Sequence, residues 1–307
     1  MFPGILLPGL GHLALGERKA ALSFFAADGA ALALLFSGLA AQTLSGGSDR
    51  LAPAYQININ AGMAMLTTLW LADIAGSGRG AVAWPKADRA DDRLALSLGW
   101  TGLFGSRLEV GHGLQGQALW RTGRIELASR LGATPSYLGL DGQASYALWR
   151  SDDRSHRFAL AVGGLFQRFA DERFGVAGGE LLADLRLDLA VLGPTLRNAW
   201  SLTRLGLGLD AFHYDARPAA LEDPTPRLVL EMGAGVQATQ RIRAELLYRY
   251  RKDRLPGGII IPGLFDSFLG FLELDLRIAL TERWALVSGA RIGNGVMPWL
   301  AVEAQLF

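Results

Sequence analysis

The sequence predicts a membrane all-β fold: an antiparallel transmembrane β-barrel of about 12 strands, with ten as the alternative count, preceded by an α-helical hairpin. Three observations predict it. After Asp92, apolar and charged side chains fall on alternate residues in run after run. Before Gly80, two long runs rich in Ala, Leu and Met break that alternation. The mean hydropathy of +0.22 belongs to a chain part of which is solvated by lipid. The chain divides accordingly into an apolar hairpin over 1–80, a linker over 81–91 and a barrel over 92–307.

The hairpin comes first. Glu17 to Leu44 is apolar with one interior charge at Asp28, and Asn58 to Ile74 is a second apolar run. At about 1.5 Å per residue the first crosses a hydrocarbon core of about 30 Å, and the second lies at the lower limit. Ser45-Gly46-Gly47 and Pro53 separate them, and Trp70 suits an interfacial anchor. A buried helix pair in a soluble domain is the alternative. Ahead of them, Pro8-Gly9-Leu10-Gly11 and Gly16 resemble the Pro-Gly-x-Gly-x-x-x-x-Gly entry to helical hairpins of small bacterial membrane proteins. That resemblance implies a hairpin and no activity, because His12 and Leu13 replace the usual Gln and aromatic residue. Met1-Phe2-Pro3-Gly4 carries no basic export signal, so the chain reads as mature or truncated. Gly76 to Asp92 turns polar and glycine-rich, which reads as a linker.

The strands follow. A spanning strand shows one face to lipid and one to the lumen, so apolar residues recur at every second position. Leu94, Leu96, Leu98 and Trp100 do so, as do Leu114, Ala118 and Trp120 against Gln115 and Gln117. Ile125, Leu127 and Leu131 alternate with Glu126 and Arg130, and Leu138, Leu140, Tyr146 and Leu148 with Asp141 and Gln143. Phe158, Leu160, Val162 and Phe166 form the next run. Charges inside apolar runs are the sharpest signal, because a globular core strand excludes them. Leu185 to Val191 encloses Arg186 and Asp188, with Asp184 just ahead; Ile242 to Tyr250 encloses Arg243, Glu245, Arg249 and, just beyond, Arg251; Leu272 to Leu280 encloses Glu273, Asp275 and Arg277. Runs at 205–209 and 228–236 (with Glu231), 284–292 (with Arg291) and 300–306 complete the count. A soluble β-sandwich is the competing fold.

Closure follows from energetics, since each unpaired backbone group at an open edge in hydrocarbon costs several kcal/mol. The terminal Ala304-Gln305-Leu306-Phe307 resembles the last strand of outer-membrane β-barrels, although the alternating set lies on Leu306 rather than Phe307. The resemblance implies a bacterial outer-membrane location, contact with membrane lipid and recognition by the outer-membrane assembly machinery through that strand.

Composition excludes several functions. The 30 basic and 29 acidic residues nearly cancel, so no basic field points to nucleic acid. Cysteine is absent, which removes disulfides, thiolate metal sites and cysteine nucleophiles. No His/Asp/Glu spacing suggests a metal, and no phosphate loop suggests a nucleotide, so no cofactor is expected.

The candidate site is the set of lumen charges: Asp184, Arg186, Asp188, Glu231, Arg243, Glu245, Arg249, Arg251, Glu273, Asp275, Arg277 and Arg291. Pairing between the strand of Arg243 and that of Glu273 makes either a constriction acting on a small solute or a salt-bridged plug, and mixed signs favour the plug. The expectation is a non-enzymatic barrel, either a narrow channel or a structural envelope module. A lipid-acting hydrolase is the alternative, with His213 beside Asp210 and Asp215 as its candidate base, though no nucleophile elbow accompanies it. An assembly or adhesion module would use the hairpin or the apolar loop from Lys252 to Phe265.

Overall fold

Twelve antiparallel strands close into one barrel, each paired with its chain neighbours and the first with the last. A computed structural model of the chain describes residues 4, 6–46, 52–79, 93–105, 111–151, 156–169, 174–214, 225–250, 270–293 and 295–306. The strands are β1 (Arg93–Gly105), β2 (Gly111–Thr122), β3 (Ile125–Thr134), β4 (Tyr137–Arg150), β5 (Arg157–Phe169), β6 (Phe174–Asp188), β7 (Ala199–Tyr214), β8 (Thr225–Gln237), β9 (Ile242–Tyr250), β10 (Phe271–Ala279), β11 (Trp284–Ile292) and β12 (Gly295–Gln305). Closure runs through β1 and β12, with Ala95 opposite Gln305 and Gly105 opposite Gly295. No strand edge is left for hydrocarbon to strand unpaired backbone groups.

The two faces of this wall have opposite chemistry. Outward residues stay open: Leu98 is 67% exposed, Val162 61% and Leu207 69%. Inward residues of the same strands, such as Ser97, Ala161 and Asp210, are buried. In a soluble sandwich the leucines would be the covered set, so the pattern fits a cylinder with its apolar face to lipid.

One sector of the outer wall is covered. Helices α1 (Leu10–Ala14), α2 (Arg18–Leu44) and α3 (Ala52–Arg79) precede the barrel, and α3 lies along the outside of β8 and β9. There Leu230 and Tyr248 are buried although they point outward. The Tyr248 hydroxyl donates to Asn60 Oδ1 at 2.7 Å, and the Tyr250 hydroxyl to Gln56 Oε1 at 3.2 Å. Ala20, Phe24 and Ala72 pack with Ala234 of β8 and with Leu196, which lies in one of two 3-10 turns joining β6 to β7. The helices meet each other at glycines: a Cβ on Gly38 would stand 2.6 Å from the Ile59 side chain, and one on Gly62 would stand 2.7 Å from Ala31 O. Small residues permit the close approach that holds helices together without a hydrophobic drive. His12 and Asp73 pair side chain to side chain, fully buried, and pin α1 to α3.

The second helix is longer than its apolar run, spanning Ala52–Arg79 rather than Asn58–Ile74. Pro53 sits in its first turn, where a missing N–H costs nothing. Gly76 to Arg79, read as linker, are helical because Gly76 packs flat under His12: a Cβ there would stand 2.8 Å from His12 Nε2. Residues 81–91 lie outside the described residues. β6 ends at Asp188, and Leu189–Val191 turn into a 3-10 helix capped by the Asp188 carboxylate, which accepts from Ala190 N at 2.9 Å.

Candidate lumenal site

The inward face of the barrel is layered. The chain enters the barrel at Arg93 and leaves it at Gln305 on one rim, the base, where the turns at 189–198, 238–241 and 280–283 also lie. Toward the opposite rim, Leu103, Tyr137, Phe169, Val176 and Met297, from β1, β4, β5, β6 and β12, pack into a buried apolar cluster. These are inward residues of five strands, and they pack together inside the barrel near that rim.

Below it lies an ionic layer that crosses the lumen. Glu273 of β10, fully buried, accepts from Arg130 of β3 at 3.0 Å and from Arg291 of β11 at 3.1 Å, and it also pairs with Arg249 of β9 at 3.1 Å. β3 and β10 are five strands apart around the ring, so the Arg130 bridge spans the interior. Arg291 also reaches Asp141 of β4 at 3.5 Å, a second crossing of the same reach. On one side the network continues along the wall: Glu231 accepts from Arg204 and Arg249, each at 3.1 Å, and Arg204 bonds Asp184 at 3.1 Å. A cavity of about 360 Å³ lies among them, lined by Arg130, Asp141, Arg204, Glu231, Arg249 and Arg291 and by Asp275.

Charged groups this deep are retained only when paired and hydrogen-bonded. The pairing differs from the sequence expectation. Along the β9–β10 hairpin, Glu245 faces Asp275 and Arg243 faces Arg277, so like charges stand opposite each other. Their partners come from elsewhere: Arg277 bonds Glu303 of β12 at 3.0 Å, and Arg243 bonds Glu245 along its own strand at 2.9 Å.

Nearest the base is a larger chamber of about 800 Å³. The Trp200 indole occupies its wall, lying over Gly235, where a Cβ would stand 2.2 Å from the ring. The glycine is required by that close approach, and the indole shields the strand that lacks a side chain. The guanidiniums of Arg186 and Arg243 lie 4.4 and 4.7 Å from the ring centroid, and Trp200 Nε1 donates to Glu245 at 3.2 Å. Trp299 repeats the device over Gly289, with Arg130 at 5.0 Å from its ring. Asp188 also lines the chamber, and its backbone N–H donates to His156 Nδ1 at 3.2 Å.

The twelve residues proposed from sequence therefore contribute to two interior layers, except Arg251, which lies outside the described residues. Arg93, Glu126, Arg130, Asp141, Arg157, Arg204 and Glu303 were not among the twelve but belong to the same layers. Their signal was parity: each falls on the inward register of its strand. His213 is exposed, while Asp210, three residues earlier, is buried on the opposite face of β7, so that acid cannot orient the ring. Asp215 lies outside the described residues. Among the described residues, no three His, Asp or Glu side chains group as metal ligands.

A closed antiparallel cylinder, apolar outside and charged inside, defines the class of transmembrane β-barrels. No protein-family model and no curated protein matches the chain. Among solved structures it is similar to the KdgM porin, at 10% identity over 68% of this chain and 98% of that one, with a TM-score of 0.43. It is also similar to the outer-membrane protein Omp33 of Acinetobacter baumannii, at 9% identity over 71% of this chain and 100% of that one, with a TM-score of 0.36. The translocator domain of the autotransporter NalP from Neisseria meningitidis matches at 12% identity over 71% of this chain and 90% of that one, with a TM-score of 0.34. With every one of these scores below 0.5, the fold assignment rests on the strand pairing itself.

Proposed function

We propose that the protein is a bacterial outer-membrane barrel whose lumen is held shut, serving the envelope as a closed porin-like module rather than as an open pore. The observation that carries this is the Arg130–Glu273 bridge across the interior, backed by the apolar cluster of Leu103, Tyr137, Phe169, Val176 and Met297. An ion would have to break the Arg130–Glu273 bridge and then pass the apolar cluster. Lipid is the partner of the exposed leucine wall. β12, which completes the ring against β1, is the segment that we take the assembly machinery to read.

Conductance of the full chain in planar bilayers tests the reading. The wild type is expected to show no steady open level. The Arg130→Ala/Asp141→Asn variant, which removes both crossings, is expected to show more frequent openings. A wild type that conducts steadily like an open porin would sink the proposal.

A further inference from the structure

We infer that the base chamber is a binding site for a soluble, multiply charged oxyanion, such as a di- or triphosphate or a polycarboxylate. The argument starts from charge. Among the described residues, nine arginines and five carboxylates line the 800 Å³ chamber, an excess of positive charge inside a chain whose total is only +1. In the ionic layer above, Asp141, Asp184, Glu231 and Glu273 are paired with Arg130, Arg204, Arg249 and Arg291, and Asp275 lies among them, so that layer has no positive excess. The excess is therefore concentrated toward the base.

Local pairing shows why the excess stays available. Glu303 Oε1 accepts from both Arg93 and Arg277, each at 3.0 Å. Glu126 Oε2 accepts from Arg121 Nε at 2.8 Å and from Arg157 at 3.0 Å. Each carboxylate thus serves two guanidiniums and neutralises one. Arg93 is also close enough to Arg277, Arg121 and Arg243 to be repelled by all three, and its Nε has no hydrogen-bond partner among the described residues. Arg243, on Trp200, is 42% exposed toward the chamber, so its planar fork is reachable.

Clustered guanidiniums held by packing and by single shared carboxylates suit oxyanions, which accept bidentate charge-assisted bonds and relieve the mutual repulsion. A single chloride would satisfy one fork. A ligand with several oxyanion groups would satisfy the arginines of β1, β9 and β10 together, and the chamber has volume for one of drug-like size. The inference involves the base chamber alone and holds whether or not the lumen conducts.

Calorimetric titration of the detergent-solubilised full chain with pyrophosphate, and separately with citrate, is the test. Saturable binding of at least one is expected, weakened about tenfold or more in Arg93→Gln/Arg243→Gln and unchanged in Arg18→Gln/Lys19→Gln on the hairpin. Binding that survives the first pair unaltered, or that chloride at equal charge reproduces, would overturn the assignment. So would an equal heat from micelles doped with phosphatidylglycerol, because the site would then read a lipid headgroup. Should the chamber variant fail to fold, phenylglyoxal labelling of the wild type decides. Pyrophosphate is expected to protect Arg93 and Arg243, and undiminished labelling of both would refute the site.

Discussion

Arg130 on β3 and Glu273 on β10 meet at 3.0 Å across the barrel interior, although five strands separate them around the wall. The bridge ties two distant sectors of the wall through one ion pair, and removing either partner does different things. Glu273→Gln leaves Arg130, Arg249 and Arg291 without their shared carboxylate, and is expected to cost about 3–5 kcal/mol. Arg130→Ala leaves Glu273 with Arg249 and Arg291, and should cost less. Urea unfolding followed by heat-modifiable gel mobility would rank the two, and an equal loss would contradict the shared-carboxylate account.

The outer wall predicts a face-specific response. Leu207, 69% exposed on β7, should tolerate alanine, whereas Leu207→Arg is expected to destabilise the folded barrel by about 2–4 kcal/mol in lipid. Folding into vesicles of defined composition measures it. An arginine accepted there at no cost would mean that the leucine face does not meet hydrocarbon.

The helix pair predicts a geometric result. The chain has no cysteine, so Asn60→Cys/Tyr248→Cys introduces a single candidate crosslink between α3 and β9. A short bismaleimide should bridge it efficiently in the otherwise native chain. Adding Gly62→Leu, which drives a side chain into the backbone of α2 near Ala31 and Leu35, should reduce the yield sharply. Undiminished crosslinking would show that the helices do not pack at these glycines.

Trp200 and Gly235 form a matched pair, since the indole occupies the space a side chain at 235 would need. Gly235→Val should displace the ring from Arg186 and Arg243, shifting tryptophan emission relative to the native chain. Trp200→Phe subtracts the contribution of this ring from the eight tryptophans of the sequence. Unaltered emission in Gly235→Val would leave the pair without support.

Much of this was legible in the alternation of residues. Leu272 to Ile278 with Glu273, Asp275 and Arg277 between them is a strand with a wet face and a greasy face in any reading, and that is how β10 sits. Which acid answers which arginine was not legible. Parity assigns Glu245 and Asp275 to the same side of the wall, but only register reveals that they stand opposite each other and take partners elsewhere. The apolar cluster near the far rim was hidden for a related reason. Leu103, Phe169 and Met297 carry the same residue types as the lipid face, and inward hydrocarbon is visible only when distant strands are brought together. The full length of the second helix was hidden because Gly76 and Pro53 read as breakers, whereas Pro53 falls in its first turn and Gly76 packs against His12.

The tyrosine hydroxyls that receive α3 have a consequence for how the molecule is put together. Tyr248 and Tyr250 point the same way only because β9 is extended and held between β8 and β10. Asn60 and Gln56 each accept from a hydroxyl on that finished surface. The berth of the hairpin therefore exists only where β8, β9 and β10 lie side by side: with those strands apart, the chain would carry two greasy rods with these amide groups unclaimed.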